Sequence, residues 1–107
     1  MISKQLNLYL SLLHANKYFQ AHEALEEIWF PNRFENDFEM KILKGLINAA
    51  VSFELIKRGK RTQALKVWEN YIKYKKLAYN TKYMLKYDKI FKEIDDMAKN
   101  LFYRSLN

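Results

Sequence analysis

Residues 38–58, FEMKILKGLINAAVSFELIKR, form the most apolar segment of this chain, and they decide its fold. On a helical wheel of about 100° per residue, the apolar side chains of the segment cover more than half of the circumference. A helix of this kind needs neighbours on several sides, so the pattern predicts a central helix. Asp37 can cap its start, and Gly59 can supply the left-handed residue that ends it.

Small side chains form a ridge along this central helix at Gly45, Ala49 and Ser52. Because these residues are four and three positions apart, they lie on one face, where another helix can approach closely. Asn48 lies beside the ridge, and we expect it to be a buried polar residue.

Helical periodicity continues on both sides of the central helix. A second helix carries residues 19–30 and is expected to stop before Pro31, because proline disfavours helical geometry in the residue before it. A fourth helix is predicted to open at Thr62 and a fifth near Asp88, while residues 77–87 could extend a helix or form a loop. The side chains expected to face inward from the fourth helix are Ala64, Leu65, Trp68, Tyr71, Ile72 and Leu77.

The composition agrees with an all-helical chain. Of the 107 residues, half are hydrophobic and 16% are aromatic, but only two are glycine and one is proline, the residues that tight turns favour. We therefore predict an all-α fold, a single compact domain over residues 1–107 with about five helices around residues 38–58. The absence of cysteine excludes disulfides, thiolate metal ligands and cysteine nucleophiles.

No apolar run approaches the roughly 18 residues that a membrane span needs, so no span is predicted. The apolar residues 6–13 are interrupted by Asn7 and Ser11 and precede no small-residue cleavage site. We therefore expect a helix of the mature protein there rather than a signal peptide. With the lack of cysteine, these features favour a cytoplasmic protein without a membrane partner.

The net charge of +7 belongs to the second half of the chain. Residues 1–56 carry five Lys or Arg against seven Asp or Glu, whereas residues 57–107 carry fourteen against five. Within residues 71–87, cations alternate with aromatic rings, which can stack on unpaired bases while lysines neutralise phosphates. The same alternation of lysine and tyrosine is also expected of a solvated surface whose residues are encoded by A/T-rich codons. The candidate nucleic-acid contacts are Lys73, Tyr74, Lys75 and Lys76.

The stretch YFQAHEALEEIWF, residues 18–30, carries the candidate functional residues. On the wheel, His22, Glu26 and Trp29 form a semi-buried seam at the edge of the apolar face, which we call the seam below. Glu23 and Glu27 lie on the polar side. An imidazole and a carboxylate one turn apart can share a proton, and the indole ring lowers the local dielectric.

Two interpretations of the seam are open. In the functional one, His22, Glu23 and Glu26 are candidate catalytic residues, and Trp29 and Asn48 are candidate ligand-binding residues. In the structural one, His22 donates a hydrogen bond to Glu26 or Asn48, and Trp29 packs in the core. No metal site is predicted, because the HExxH pattern requires a second histidine where Glu26 stands.

The segments YFQAHEALEEIW, residues 18–29, and KGLINAAVSFELIKRGKRTQAL, residues 44–65, resemble DUF309, a family of small domains of unknown function. Its pattern is an aromatic residue, HE-x-x-E-x-x-W, a GLI-x-x-A helix and an RG-x turn before an Ala-Leu helix. The resemblance covers residues 18–68 and departs from the pattern at Gln63, where the family often has glycine. It implies an all-helical fold and a shared polar site at His22, Glu23, Glu26 and Trp29, but no reaction.

The resemblance leaves a family-like core at residues 18–77 and a lysine- and tyrosine-rich part at residues 78–107. Three functions follow as hypotheses. The first is a binding module for a small molecule or a protein that uses the seam. The second is a hydrolase-type enzyme in which Glu23 or Glu26 acts as base and His22 as acid or metal ligand. The third is an RNA-binding accessory protein that uses residues 71–87.

Overall fold

The computed structural model describes residues 2–35 and 37–104, which form helices joined by short connections. No strand occurs in these residues, and the predicted all-α class is confirmed. Residues 1 and 105–107, the ends of the predicted domain, lie outside the described part. The helices are α1 (Ile2–His14), α2 (Tyr18–Asn32), α3 (Phe38–Lys57), α4 (Arg61–Ala78) and α5 (Met84–Arg104).

Helix α3 is the centre of the molecule, as its apolar pattern predicts. It packs against α2, α4 and α5. Its start is capped by Asp37, whose carboxylate accepts a hydrogen bond of 2.9 Å from the backbone N–H of Glu39. Gly59 follows its end at φ +77°, a conformation that favours glycine. The side chains of α3 without exposed surface include Leu43, Leu46, Ala49, Ala50 and Phe53.

Helices α3 and α4 approach closely along the predicted ridge of small residues. A Cβ atom added to Gly45 would lie 2.7 Å from the Cβ atom of Tyr74 on α4. Beside it, the hydroxyl of Ser52 donates a 2.7 Å hydrogen bond to the backbone carbonyl of Ala64. The ridge therefore brings the two backbones together and also supplies a buried polar link between them.

Helix α2 does not stop at Pro31 but continues to Asn32, so the predicted end is wrong. Pro31 removes one hydrogen bond to the carbonyl four residues back, but only Asn32 follows it within the helix. Side chains also serve the carbonyls at this end. The amide of Asn32 donates to the Ile28 carbonyl at 2.7 Å, and the Arg33 guanidinium donates to the Phe30 carbonyl at 2.5 Å.

The ambiguous residues 77–87 divide into the end of α4 at Ala78, a turn, and the start of α5 at Met84, one turn earlier than predicted. Leu65 and Leu77, which were expected to face inward, are 39% and 41% exposed. Helix α4 packs on α3 and α5, but these helices do not cover the two leucines completely, and Leu65 lines an open cavity with Ala98 of α5.

A buried acid links α3 to α5. Glu39 is 8% exposed, and one of its oxygens accepts hydrogen bonds from the Lys86 ammonium at 2.7 Å and from the Tyr87 hydroxyl at 2.6 Å.

Within the described residues, none of the helices combines the length and the apolar character that a membrane span requires.

Candidate binding site

The helical spacing of α2 brings His22 and Glu26 together, as the wheel predicts. Nδ1 of His22 lies 3.1 Å from the carbonyl oxygen of Phe19, and Nε2 contacts a carboxylate oxygen of Glu26. The side chains of His22 and Glu26 are 19% and 37% exposed, so the pair is half-buried. A neutral imidazole donates to one of these two acceptors, whereas a protonated imidazole donates to both. The pair thus holds the ring in one orientation.

The other acidic residues of the motif point away from this pair. Glu23 is exposed. Glu27 is exposed as well, but its carboxylate accepts a 3.1 Å hydrogen bond from the Gln5 amide on α1. Glu27 therefore contributes to helix packing, although it lies on the polar side of the helical wheel.

Beside His22, an open cleft of about 200 Å³ lies between α2 and α3. Its walls are mostly apolar, and we call it the α2–α3 cleft. His22 lines one edge. A second polar edge is formed by Glu54 and Arg58, whose Oε2 and Nε atoms lie 2.7 Å apart. The remaining lining residues are Tyr18, Phe19, Val51 and Leu55.

Trp29 lines a different cavity, two helical turns along α2 from His22. Asn48 is half-buried rather than buried; its side chain donates at 2.7 Å to the Lys44 carbonyl one turn back on α3 and accepts a longer bond of 3.4 Å from Asn70 on α4. The expected pocket is therefore not formed: His22 and Trp29 line different cavities, Asn48 lines neither of these two, and His22 does not bond to Asn48. The reason is geometric, because the seam is longer than one cavity and the Asn48 amide donates within its own helix.

The α2–α3 cleft contains residues that the motif alone did not identify. Arg58 and the apolar walls Val51 and Leu55 belong to α3 or its C-cap, outside the HExxExxW stretch. The spacing of Glu54 and Arg58, one helical turn apart, is the sequence signal that could have revealed their ion pair.

In residues 2–35 and 37–104, no three His, Cys, Asp or Glu side chains are grouped so that they could hold a metal ion.

The alternating cations and rings of residues 71–87 do not share one exposed surface. Tyr71 and Tyr87 have no exposed surface, so neither can stack on a base. Lys75 is bound to the carboxylate of Asp95 at 2.5 Å, and its side chain is 16% exposed. Tyr74 is partly buried against α3. Of the four candidate nucleic-acid contacts, Lys73 and Lys76 are exposed.

Comparison with protein families gives a match to the domain of unknown function DUF309 over residues 6–67, more than half of the chain. The chain belongs to the DUF309 family. The matched region spans α1 to α3 and the first part of α4, and it includes the seam and the α2–α3 cleft of this DUF309 domain. No curated protein and no solved structure matches the chain.

Proposed function

We propose that this DUF309 domain is a protein-binding module whose α2–α3 cleft accepts one apolar side chain of a partner. The observation that carries the proposal is an open, mostly apolar cleft beside the half-buried pair of His22 and Glu26. Sites for drug-sized ligands measure about 300–1,000 Å³, and this cleft of about 200 Å³ is smaller. A volume of this size suits a single anchoring side chain. We propose that the interaction takes place in the cytoplasm, with which the lack of cysteine agrees.

The polar edges of the α2–α3 cleft support the same proposal. Protein interfaces commonly surround a buried anchor with polar groups that fix its orientation. Here His22 and the ion pair of Glu54 and Arg58 provide donors and acceptors next to the apolar walls. The ring of Phe19 is 48% exposed beside the cleft and offers a further apolar contact.

Capped amino acids test the proposal, because each presents one side chain on a short backbone. N-acetyl-leucinamide, added to ¹⁵N-labelled protein, is expected to shift the backbone amide signals of Val51, Leu55 and Phe19 saturably. N-acetyl-glycinamide, which lacks the side chain, is expected to leave them in place. Equal shifts with both compounds would contradict the proposal.

A variant with a filled cleft provides the control for that experiment. Val51→Trp places a large side chain in the cleft and should abolish the leucinamide shifts. Gln63→Trp adds the same side chain at an exposed position on α4 and should leave binding unchanged. Circular dichroism of both variants checks the fold, and Leu55→Lys offers a second way to close the cleft. Binding that survives in both cleft variants would overturn the proposal.

Acid–base catalysis by His22 is a second candidate, favoured by the orientation of its ring. The Phe19 carbonyl contacts Nδ1 and fixes the orientation of the ring, while Nε2 faces the Glu26 carboxylate, with which it can exchange a proton. The rate of p-nitrophenyl acetate hydrolysis measures this catalytic activity. This candidate predicts a rate that His22→Gln lowers and that the exposed-site variant His14→Gln leaves unchanged. A wild-type rate equal to that of His22→Gln would reject catalysis while leaving the binding proposal intact.

A further inference from the structure

A second cavity, of about 190 Å³, is lined by three cations. Arg33 from the end of α2 and Lys41 and Lys44 from α3 line it, together with Glu35. Among the residues that the structure describes, none of these three cations forms an ion pair with a carboxylate. Positive charge therefore exceeds negative charge around the cavity, which favours an anion.

Aromatic rings form walls of the same cavity. Trp29 and Tyr74 both line it, and the Lys44 ammonium lies 5.8 Å from the centre of the Trp29 ring and 5.7 Å from that of the Tyr74 ring. Met40, which is 6% exposed, also lines it. The cavity thus combines flat apolar surfaces with three positive charges.

The geometry points to a binding site in this cavity for a small organic anion that carries an aromatic ring. The ring packs against Trp29 and Met40, and the anionic group binds Arg33, Lys41 and Lys44. A planar guanidinium and two ammonium groups suit both a carboxylate and a phosphate ester. The site lies two turns of α2 away from His22, so this inference does not depend on the proposed protein-binding function.

Small probes separate the contributions of ring and charge. Benzoate and phenyl phosphate carry both, benzyl alcohol carries the ring alone, acetate carries the charge alone, and benzylammonium carries the opposite charge. The chain has two tryptophans, so its indole N–H signals report on the cavity through Trp29 and on a position outside that cavity through Trp68. We expect benzoate or phenyl phosphate to shift the Trp29 signal saturably without shifting that of Trp68.

The same titrations give the expected affinities. The better aromatic anion should bind about tenfold more tightly than benzyl alcohol or acetate, since it gains a charge-assisted contact and a ring contact together. Whichever of benzoate and phenyl phosphate binds more tightly identifies the preferred anionic group. Equal affinity for benzyl alcohol, tighter binding of benzylammonium, or equal shifts of both indole signals would overturn the inference.

Charge variants complete the test. Lys44→Gln and Lys41→Gln should each weaken the binding of benzoate or phenyl phosphate by up to about tenfold. Lys66→Gln removes the same charge from an exposed position on α4 outside the cavity and should leave the affinity unchanged. An equal loss in Lys66→Gln would show that net charge alone attracts the anion and would contradict the site. Circular dichroism confirms that each variant folds.

Discussion

Gly45 shows how one missing side chain sets the distance between two helices. An added Cβ atom would lie 2.7 Å from the Cβ atom of Tyr74, which is fixed to the backbone of α4 and cannot rotate away. Alanine in place of glycine favours a helix by about 1 kcal/mol. Overpacking of a tight contact costs about 1–3 kcal/mol. The two effects oppose each other at this position, and the close contact with Tyr74 decides whether alanine raises or lowers the free energy of unfolding.

We therefore predict that Gly45→Ala lowers the free energy of unfolding, by up to about 2 kcal/mol. Urea denaturation followed by circular dichroism measures the change. An increase in stability of about 1 kcal/mol, the value of helix propensity alone, would show that α4 moves aside without cost.

Burial of tyrosine hydroxyls makes the fold sensitive to alkaline pH. Burial raises the pKa of Tyr9, and burial together with Asp95 raises that of Tyr71. Burial and then Glu39 raise the pKa of Tyr87 in the same way. In the unfolded chain these hydroxyls lose their protons near their usual pKa of 10.0, while in the folded chain they keep them. Ionisation above that pH therefore favours the unfolded state.

We expect the buried, protonated tyrosine hydroxyls to contribute their full stabilisation below pH 10, and we expect this stabilisation to be lost progressively above pH 10. Guanidinium denaturation on either side of pH 10 measures the loss. Ultraviolet absorbance provides the check on the cause, because the three buried hydroxyls should ionise together with unfolding rather than before it. Ionisation of all eight tyrosines in the folded protein would contradict the assignment.

At the scale of the helices, one carboxylate joins α4 to α5. Asp95 on α5 accepts hydrogen bonds from the Tyr71 hydroxyl at 3.0 Å and from the Lys75 ammonium at 2.5 Å, both on α4. Burial lowers the pKa of Lys75, but hydrogen bonds to Asp95 and Tyr79 outweigh it and raise the pKa overall. The ammonium is therefore charged at neutral pH, and the link is a charge-assisted one.

Asp95→Ala is expected to lower the free energy of unfolding by roughly 1–3 kcal/mol, because it leaves a buried hydroxyl without its carboxylate acceptor. Asp96→Ala removes the neighbouring, exposed carboxylate and should change stability by less than about 0.5 kcal/mol. Hydrogen exchange of the α5 amides should rise in the first variant alone. Equal behaviour of the two variants would show that Asp95 does not hold α5.

The helices that sequence predicts best are those whose signals are local. Helix α3 agrees with its prediction because its cap at Asp37 and its end at Gly59 act on neighbouring backbone groups. The end of α2 and the exposure of Leu65 were predicted wrongly, since both depend on contacts with side chains or helices distant in the chain. Glu39 was missed as a buried acid because its partners lie on α5.

In the candidate site, too, the features that depend on local spacing were predictable and those that depend on other helices were not. Pairing of His22 with Glu26 and their half-burial were predictable from helical spacing within α2. The shape of the cavities was not, because each of them needs a second helix. Val51 and Arg58 reach the His22 cleft from α3, and Lys44 reaches Trp29 from the same helix. A wheel of one helix cannot show which neighbour covers each part of the seam.

At the scale of the whole molecule, the described residues pack into a body of 40 × 26 × 23 Å with the central helix enclosed by its neighbours. Long-range hydrogen bonds close this body. The Tyr9 hydroxyl on α1 donates to the Leu46 carbonyl on α3 at 2.5 Å, and Glu39 ties α3 to α5. On this frame the outer edge of α2 is left with one cavity near His22 and another near Trp29.

We propose that the seam serves two separate binding surfaces. A single nuclear magnetic resonance titration tests this proposal, in which benzoate is added to protein already saturated with N-acetyl-leucinamide. We expect the leucinamide shifts around Val51 and Leu55 to persist while new shifts appear at Trp29 and Lys44, with benzoate affinity unchanged. Displacement of one compound by the other, or shifts confined to one shared set of residues, would contradict it.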